Sequence, residues 1–600
     1  MNRVIQRAVY PSLDLCPEPK LFFRLNSAAD IDINHQRLIL FPTGWVKTST
    51  YFNSLSVGKW KQNTNIDQLS LRIGYQGEIK LTFKLSDIGA GTKILYETFL
   101  SNKNGEVVCE VSLPFWPQLQ SGMLYFEIYA LDRSEVSFFE YITPVPAVRS
   151  LKLGIVITHY NRLSSIQAAI HRLKYQLLEV DEFKDKLSLI VVDNSKNLPP
   201  VEGIVVIKNA NLGGAGGFAR GLLYLQSQPE FTHALFMDDD AACEVESIKR
   251  TINILESTTN SSLAVAGAML MEKEVYRQHE SGAYFDGRCR SLGKGANLVY
   301  EYDLLKNERP KRAEYGAWWF FAFALEGVNY NPFPYFVRGD DISFSYANQF
   351  DIFTMNGIAS WQPDFANKST PMTVYLDMRN HLMHVLHGFV KGPAYLTLLK
   401  TSLLIYAYQA LSYFYDSAQA VNVAIEDVLK GPDFWREDIN LAEKRKEINQ
   451  LLTTESLVPT PKDIYSKGEM APVERQSTTE VFAYPQRWSR LALYFRYGSL
   501  NGHLLPSYFF HPGFAWVKKS SGSRTSSSFR YKEVIFLDQD AEHCLILKHD
   551  KKRFFAITFR FIYLLMKLMF RYQKLSKVYR KTYQELTSSS FWQEQFERYD

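Results

Sequence analysis

The sequence lacks a paired-cysteine framework. Its five cysteines, Cys16, Cys109, Cys243, Cys289 and Cys544, are far apart, odd in number and include no CxxC pair. That argues against a cysteine metal site or a disulfide scaffold and fits a reducing cytoplasm. Net charge is only +5, dispersed along the chain, which argues against a nucleic-acid partner. No clean membrane span is present: the nearest candidate, residues 554–570, is interrupted by Arg560 and Lys567. The opening residues, MNRVIQRAVYPSLDL, carry no apolar signal-peptide run. No internal repeat is found.

What is present fits a folded chain of two to four domains: 600 residues, 46% hydrophobic and 22% charged. Up to residue 149 the runs LSLRIGY, IKLTFKLS, KILYETFL, EVVCEVSL, MLYFEIYAL and VSFFEYIT are short and β-rich, broken by Gly, Asn, Asp and Ser. This predicts an all-β sandwich. TPVPAVRS at 143–150 reads as a linker. From 150 to 390, apolar strands (LGIVITHY, LSLIVVDNS, GIVVIKN, HALFMDDDA) alternate with helical segments. That predicts an α/β domain with a Rossmann-like, mostly parallel sheet, which binds ligands at the carboxyl ends of its strands. From 391 to 600 the chain reads as mainly helical. TSLLIYAYQALSYFYDSAQAVNVAIEDVL predicts one long buried helix, residues 453–480 a loop, and KKSSGSRTSSS at 518–528 a flexible basic loop. Near 553–583, Phe554, Ile557, Phe561, Leu564, Leu568 and Leu575 share a helical face opposite Arg560, Lys567, Arg571, Lys574 and Lys581. Such an amphipathic helix either lies on an anionic membrane surface or packs its apolar face on the domain.

The chemistry-bearing residues cluster at the strand ends. In MDDDA, Asp238 and Asp240 point the same way in an extended segment and form a hard oxygen site for Mg²⁺ or Mn²⁺, where a diphosphate would sit; Asp239 lies between them on the donor side. NANLGGAGGFARG brings backbone amides to a helix N-terminus, where they either approach a phosphate or turn the chain tightly onto the sheet. GxGxxG does not occur in it, which weakens a dehydrogenase reading. In THYNR, Arg162 has the planar fork for a phosphate or base. In VVDNS, Asp193 and Asn194 either read a nucleoside or form an Asx turn. YGAWWFFAF places Trp318 and Trp319 on opposite sides of an extended segment, one for the core and one for a sugar. PYFVRGDDISF supplies Asp340 and Asp341, a pair able to take a proton from an attacking hydroxyl or to open a helix. His381, His384 and His387 recur every third residue, a spacing more often met in cores and surfaces than in metal sites.

The ordered series THYNR, VVDNS, NLGGAGGFARG, MDDD, WWFF, RGDD, SWQ and YLDMRNHL resembles the inverting GT-A glycosyltransferases of family two, in particular the bacterial galactofuranosyltransferases that polymerise galactan from UDP-galactofuranose. The resemblance implies that Arg162 and Asn194 contact uridine. Asn211, Gly213 and Gly214 border the diphosphate, and Asp238 and Asp240 bind Mn²⁺ or Mg²⁺. Trp318, Trp319 and Trp361 line the acceptor groove. Asp341 is the base, and Asp340 orients the acceptor. One departure stands out. Where the family has Trp-His, this chain has Trp361-Gln362, so the third metal ligand is an amide, a water or a histidine such as His381. The expected partners are a UDP-sugar and a glycan or lipid-linked glycan acceptor, at the inner face of a bacterial membrane, with a homo-oligomer left open. A family-two enzyme for rhamnose, glucose or galactopyranose, or a carbohydrate-binding relative without catalysis, is the alternative.

Overall fold

The computed structural model describes residues 2–363, 369–470, 490–519, 524–538 and 541–600. Residues 471–480 of the predicted 453–480 loop, and residues 520–523 of the basic Ser-rich stretch, lie outside these; the described part of that loop holds a short helix, Ile464–Lys467.

The N-terminal region is mainly β, with one short helix, Val57–Asn63. Its strands join in one ten-stranded sheet organised around Ser70–Asp87. The first half of that strand pairs with Ser134–Thr143 and the second half with Met123–Ala130, so the sheet divides into two arms. The arms close over a shared core, in which the Phe126 and Phe139 rings meet edge-on at 4.9 Å. The sequence breaks expected around Gly77 and Gly105 do not end strands. LSLRIGY and IKLTFKLS run together through a bulge at Gly77, and KILYETFL and EVVCEVSL form a single strand, Gly91–Ser112. A bulge absorbs a glycine without ending the ladder.

The next region is an α/β layer. Its seven-stranded sheet runs Val205–Lys208, Leu187–Asp193, Leu153–His159, His233–Asp238, Phe321–Ala324, Leu263–Ala266, Asp351–Phe353. The first four strands are parallel and Phe321–Ala324 is antiparallel to both its neighbours. The chain starts at Leu153–His159, steps outward twice, then returns to lay His233–Asp238 on its other side. This reversal is a switch point, and it sets the ends of those two strands side by side, with Thr158 opposite Asp238. A small sheet, Ala242–Cys243, Ala359–Gln362, Ala268–Met271 and Gln278–Glu280, continues beyond it.

The C-terminal region departs from expectation twice. It is helical, but it also holds a five-stranded sheet built on His511–Lys518, Tyr531–Leu537 and His543–Lys548. The single long helix is two, Ala394–Ala410 and Tyr415–Lys430. Between them Tyr413 takes φ +69° and its buried hydroxyl donates to Ser528 O and Tyr531 O, at 2.6 and 3.0 Å. A tertiary anchor breaks the helix where no Gly or Pro announces it. The amphipathic helix is present as Lys551–Leu586, and its six predicted apolar residues are all buried against the domain.

Candidate active site

Asp238 ends its strand beside the first βα turn, and the acidic run divides by alternation. Asp239 turns away from the cavity and is buried. It accepts from Tyr160 N at 3.0 Å and Arg162 Nη1 at 2.6 Å, and His159 Nδ1 lies 3.2 Å away. Asp238 and Asp240 line a cavity of about 540 Å³. Arg162 reaches this cavity as well, with Nη2 3.4 Å from Asp240. Its fork therefore fixes the acidic turn, a role beyond the nucleotide contact expected of it.

Gln362 comes from the strand whose Trp361 pairs with Ala242, just past the acidic run. Its Nε2 donates to Asp238 at 3.4 Å and to Asp240 at 3.3 Å, while its buried Oε1 has no hydrogen-bond partner. Half a turn of the amide exchanges these two atoms. The residues then present two carboxylates and one amide oxygen, a hard donor set that fits Mg²⁺ or Mn²⁺. No cluster of three His, Cys, Asp or Glu suited to a metal occurs among the described residues. His381 lines the cavity, but its ring nitrogens face Asp377 O and, at 3.8 Å, Cys289 Sγ. His384 and His387 are core residues whose Nδ1 atoms meet the Tyr335 hydroxyl.

Asp340 and Asp341 open the helix Asp340–Asn348 and face the same cavity. The turn before them is strained: Phe336, Arg338 and Gly339 all have positive φ. Two motifs hold it. From YLDMRNHL, Asn380 Nδ2 donates to Val337 O and Arg338 O, Arg379 donates to Tyr335 O, and Asp377 pairs with Arg338. From the glycine run, Ala215 N donates to Phe336 O at 3.0 Å. A Cβ on Gly213, itself at φ +73°, would fall 2.0 Å from that same carbonyl, so only glycine lets the two turns touch. The glycine run thus packs the turn that carries Asp340 and Asp341 and seats its helix on the sheet. Gly214 lines the cavity, and Asn211 Oδ1 caps Gly213 N.

Several predicted residues lie elsewhere. Asn194 is buried, donating to Gly213 O and accepting from Asn209, and does not border the cavity. Asp193 forms the Asx turn, accepting from Ser195 N and Leu198 N. Trp361 turns towards the N-terminal region, its ring tilted against Phe52 at 5.7 Å and its indole N–H donating to Val275 O, because its neighbour Gln362 takes the opposite side of the strand. Trp318 and Trp319 both contribute to the cavity wall. Trp318 packs against Phe218, Phe236 and Phe344, and Trp319 donates to Gly267 O.

Burial governs the acids. It pushes Asp341 up to about 6. It raises Asp340 well above the usual carboxylate range, with the Asp341 charge adding to the rise. One acid escaped the sequence reading. Glu280 lines the cavity, accepts from Ser291 Oγ at 2.6 Å, and keeps its other oxygen unpartnered. Burial, reinforced by Asp341, lifts it to about 7. A lone Glu in QHESG has no spacing signal, and only the fold brings it opposite the aspartates.

A two-carboxylate end of a parallel strand, a buried acid pair and an aromatic wall around one cavity suit transfer at a sugar. Residues 154–299, which contain the acidic run, match the family model described as Glycosyl transferase family 2. This is a family 2 glycosyltransferase domain. The chain is similar to the galactofuranosyltransferase GlfT2 of Mycolicibacterium smegmatis, at 22% identity over 596 residues, 92% of this chain and 89% of that protein. GlfT2 of Mycobacterium tuberculosis is 21% identical over 423 residues, 65% of this chain and 66% of that one. A solved mannosyltransferase of Pyrobaculum calidifontis, in complex with GDP-Man and Mn²⁺, overlaps 52% of this chain and 83% of that one at 11% identity and a TM-score of 0.28. The family 2 glycosyltransferase domain carries the GT-A fold, and glycosyl transfer is its chemistry.

Proposed function

We propose that the cavity transfers a galactofuranosyl residue from UDP-galactofuranose to a hydroxyl of a galactan or other surface-glycan acceptor, by one inverting displacement. The observation that carries this is the meeting of Asp238, Asp240 and Asp341 in one cavity. The similarity to GlfT2 along most of the chain supports the choice of sugar.

Asp238, Asp240 and Gln362 would hold a divalent cation, which supplies positive charge for the departing diphosphate. The acceptor oxygen bonds to C1 as the C1–phosphate bond breaks. Its proton passes to Asp341, and UDP leaves with the bonding pair. A base that titrates near 6 is ionised at neutral pH and still close enough in pKa to take the proton effectively. Asp340, which burial pushes towards its protonated form, can in that form donate a hydrogen bond to an acceptor hydroxyl, and Glu280 can do so from its own side of the cavity. The aromatic wall of Trp318 and Trp319 suits the apolar faces of the sugar. UDP release from a panel of UDP-sugars, with Mn²⁺ and a short β-galactofuranosyl acceptor, tests the reading. Turnover with UDP-galactofuranose supports it, and turnover only with another sugar replaces the donor.

A further inference from the structure

A second cavity, of about 640 Å³, opens beside the first. Cys289, Arg338, Asp377 and His381 line both, so the two meet at the turn that leads into Asp340 and Asp341. A third hollow, of about 360 Å³, meets the first through Arg162 and Asp240 instead. The donor's nucleotide and diphosphate belong at that acidic edge. None of Asp238, Asp240 and Gln362 lines the second cavity, which places it on the acceptor's side.

The second cavity carries more positive charge than it balances. Among the described residues its one carboxylate is Asp377, and Arg338 already engages it, with Nη1 3.0 and 2.9 Å from the two oxygens. Arg288 and Arg524 line the cavity as well, and neither guanidinium meets a carboxylate among the described residues. Arg524 is only 5% exposed, yet its Nε has no hydrogen-bond partner. Its cation lies 4.7 Å from the centre of the Phe414 ring and 5.6 Å from that of Tyr408. The rings offset part of the cost of burying the charge and hold the fork in place. Gln409, on the same wall and 6% exposed, also keeps an unpartnered Oε1, and half a turn of its amide presents an N–H instead. Folded proteins partner nearly all such buried groups, and a binding site is where they stay open.

A planar guanidinium beside an amide matches the oxygens of a phosphate ester or a carboxylate. Leu404, Ile405 and Leu411 add an apolar wall, which suits an organic group bearing the charge better than a bare hydrated ion. We propose that the second cavity is an acceptor subsite for an anionic group, a phosphate ester or a carboxylate, that the acceptor carries away from its reacting hydroxyl. Arg524 and Gln409 grip the anion, and the exposed Arg288 meets it from the rim. The wall shared with the first cavity, where Cys289 Sγ and His381 Nε2 stand 3.8 Å apart, leads the sugar on to Asp341. The assignment rests on the transferase reading of the first cavity.

Titration calorimetry on the full chain tests it. The probe is a β-galactofuranosyl acceptor whose aglycone tail ends in a phosphate, set against the same tail ending in a hydroxyl, over several tail lengths. The native chain should bind the phosphate form roughly tenfold more tightly at the best length. Arg524→Met, which keeps an apolar stem over Tyr408 and Phe414, should bring the two affinities together. Arg288→Gln changes an exposed side chain and should narrow the gap, a second reading that does not depend on a buried substitution. In UDP release the same preference should appear in KM and not in kcat. Equal native affinity for the two forms overturns the subsite, and so does a preference that both variants keep. Inorganic phosphate that binds as tightly as the phosphate-bearing acceptor also overturns it, since the cavity then takes a free anion. Calorimetry needs no turnover, so a preference without transfer would sink the transfer reading alone, and transfer without a preference would sink the subsite alone.

Discussion

Gln362 lays its side-chain amide 3.3 Å from Asp240 Oδ1, so an amide stands at the acidic centre. An amide oxygen is a weaker partner than imidazole for Mn²⁺ and relatively better suited to Mg²⁺. Gln362→His should therefore tighten Mn²⁺ binding to the UDP-bound protein by on the order of tenfold, and Gln362→Ala should weaken it. Titration calorimetry with each metal reads this. Equal affinities for all three proteins would remove Gln362 from the site.

Asp341 is the group expected to take the acceptor proton. Asp341→Asn should lower kcat by roughly 10²–10⁴ while leaving UDP binding intact. Turnover near the native rate would refute the assignment.

The pH dependence follows from the same carboxylate. Its pKa is raised to about 6, and the reactive form is the ionised one. The rate should rise with pH across the interval around 6 and level off above it. An activity that falls as pH rises through 6 would point to a protonated Asp341.

Glu280 gives a stability prediction. Its folded pKa, about 7, lies above the usual 4.5, so the fold favours the protonated form. The stability this confers is fully present below about 4.5 and is lost as pH rises through 7. Glu280→Gln should raise Tm by a few degrees at pH 8 and leave it nearly unchanged at pH 4. A variant that melts lower at pH 8 would show the carboxylate to be a structural partner.

Gly213 sets a fifth test. Because a Cβ there would fall 2.0 Å from Phe336 O, Gly213→Ala must move the turn that carries Asp340 and Asp341. It should cost about 2 kcal/mol or more in stability and lower kcat with it. Denaturant unfolding and UDP release on one preparation measure both.

The parallel strands were legible because strands buried on both faces leave continuous apolar runs, and the polar residues that follow them mark ligand ends. Arg162, Asp238 and Asp240 follow or end such strands, and the structure gathers them with Asp341 in one cavity. Position relative to a strand could not show direction of use. Asn194 and the glycine run are spent on loop packing, and Trp361 faces Phe52. Glu280 was invisible because its meaning comes from Asp341, distant in sequence. The helix Lys551–Leu586 carries apolar residues on two faces, and hydrophobic periodicity alone does not tell which one the domain covers.

Metal-assisted transfer by Asp238, Asp240 and Asp341 is tested by UDP release from UDP-galactofuranose with a β-galactofuranosyl acceptor. Turnover with Mn²⁺ or Mg²⁺ should stop in EDTA and be lost in Asp341→Asn. Turnover that persists in EDTA, or that survives Asp341→Asn, would contradict it.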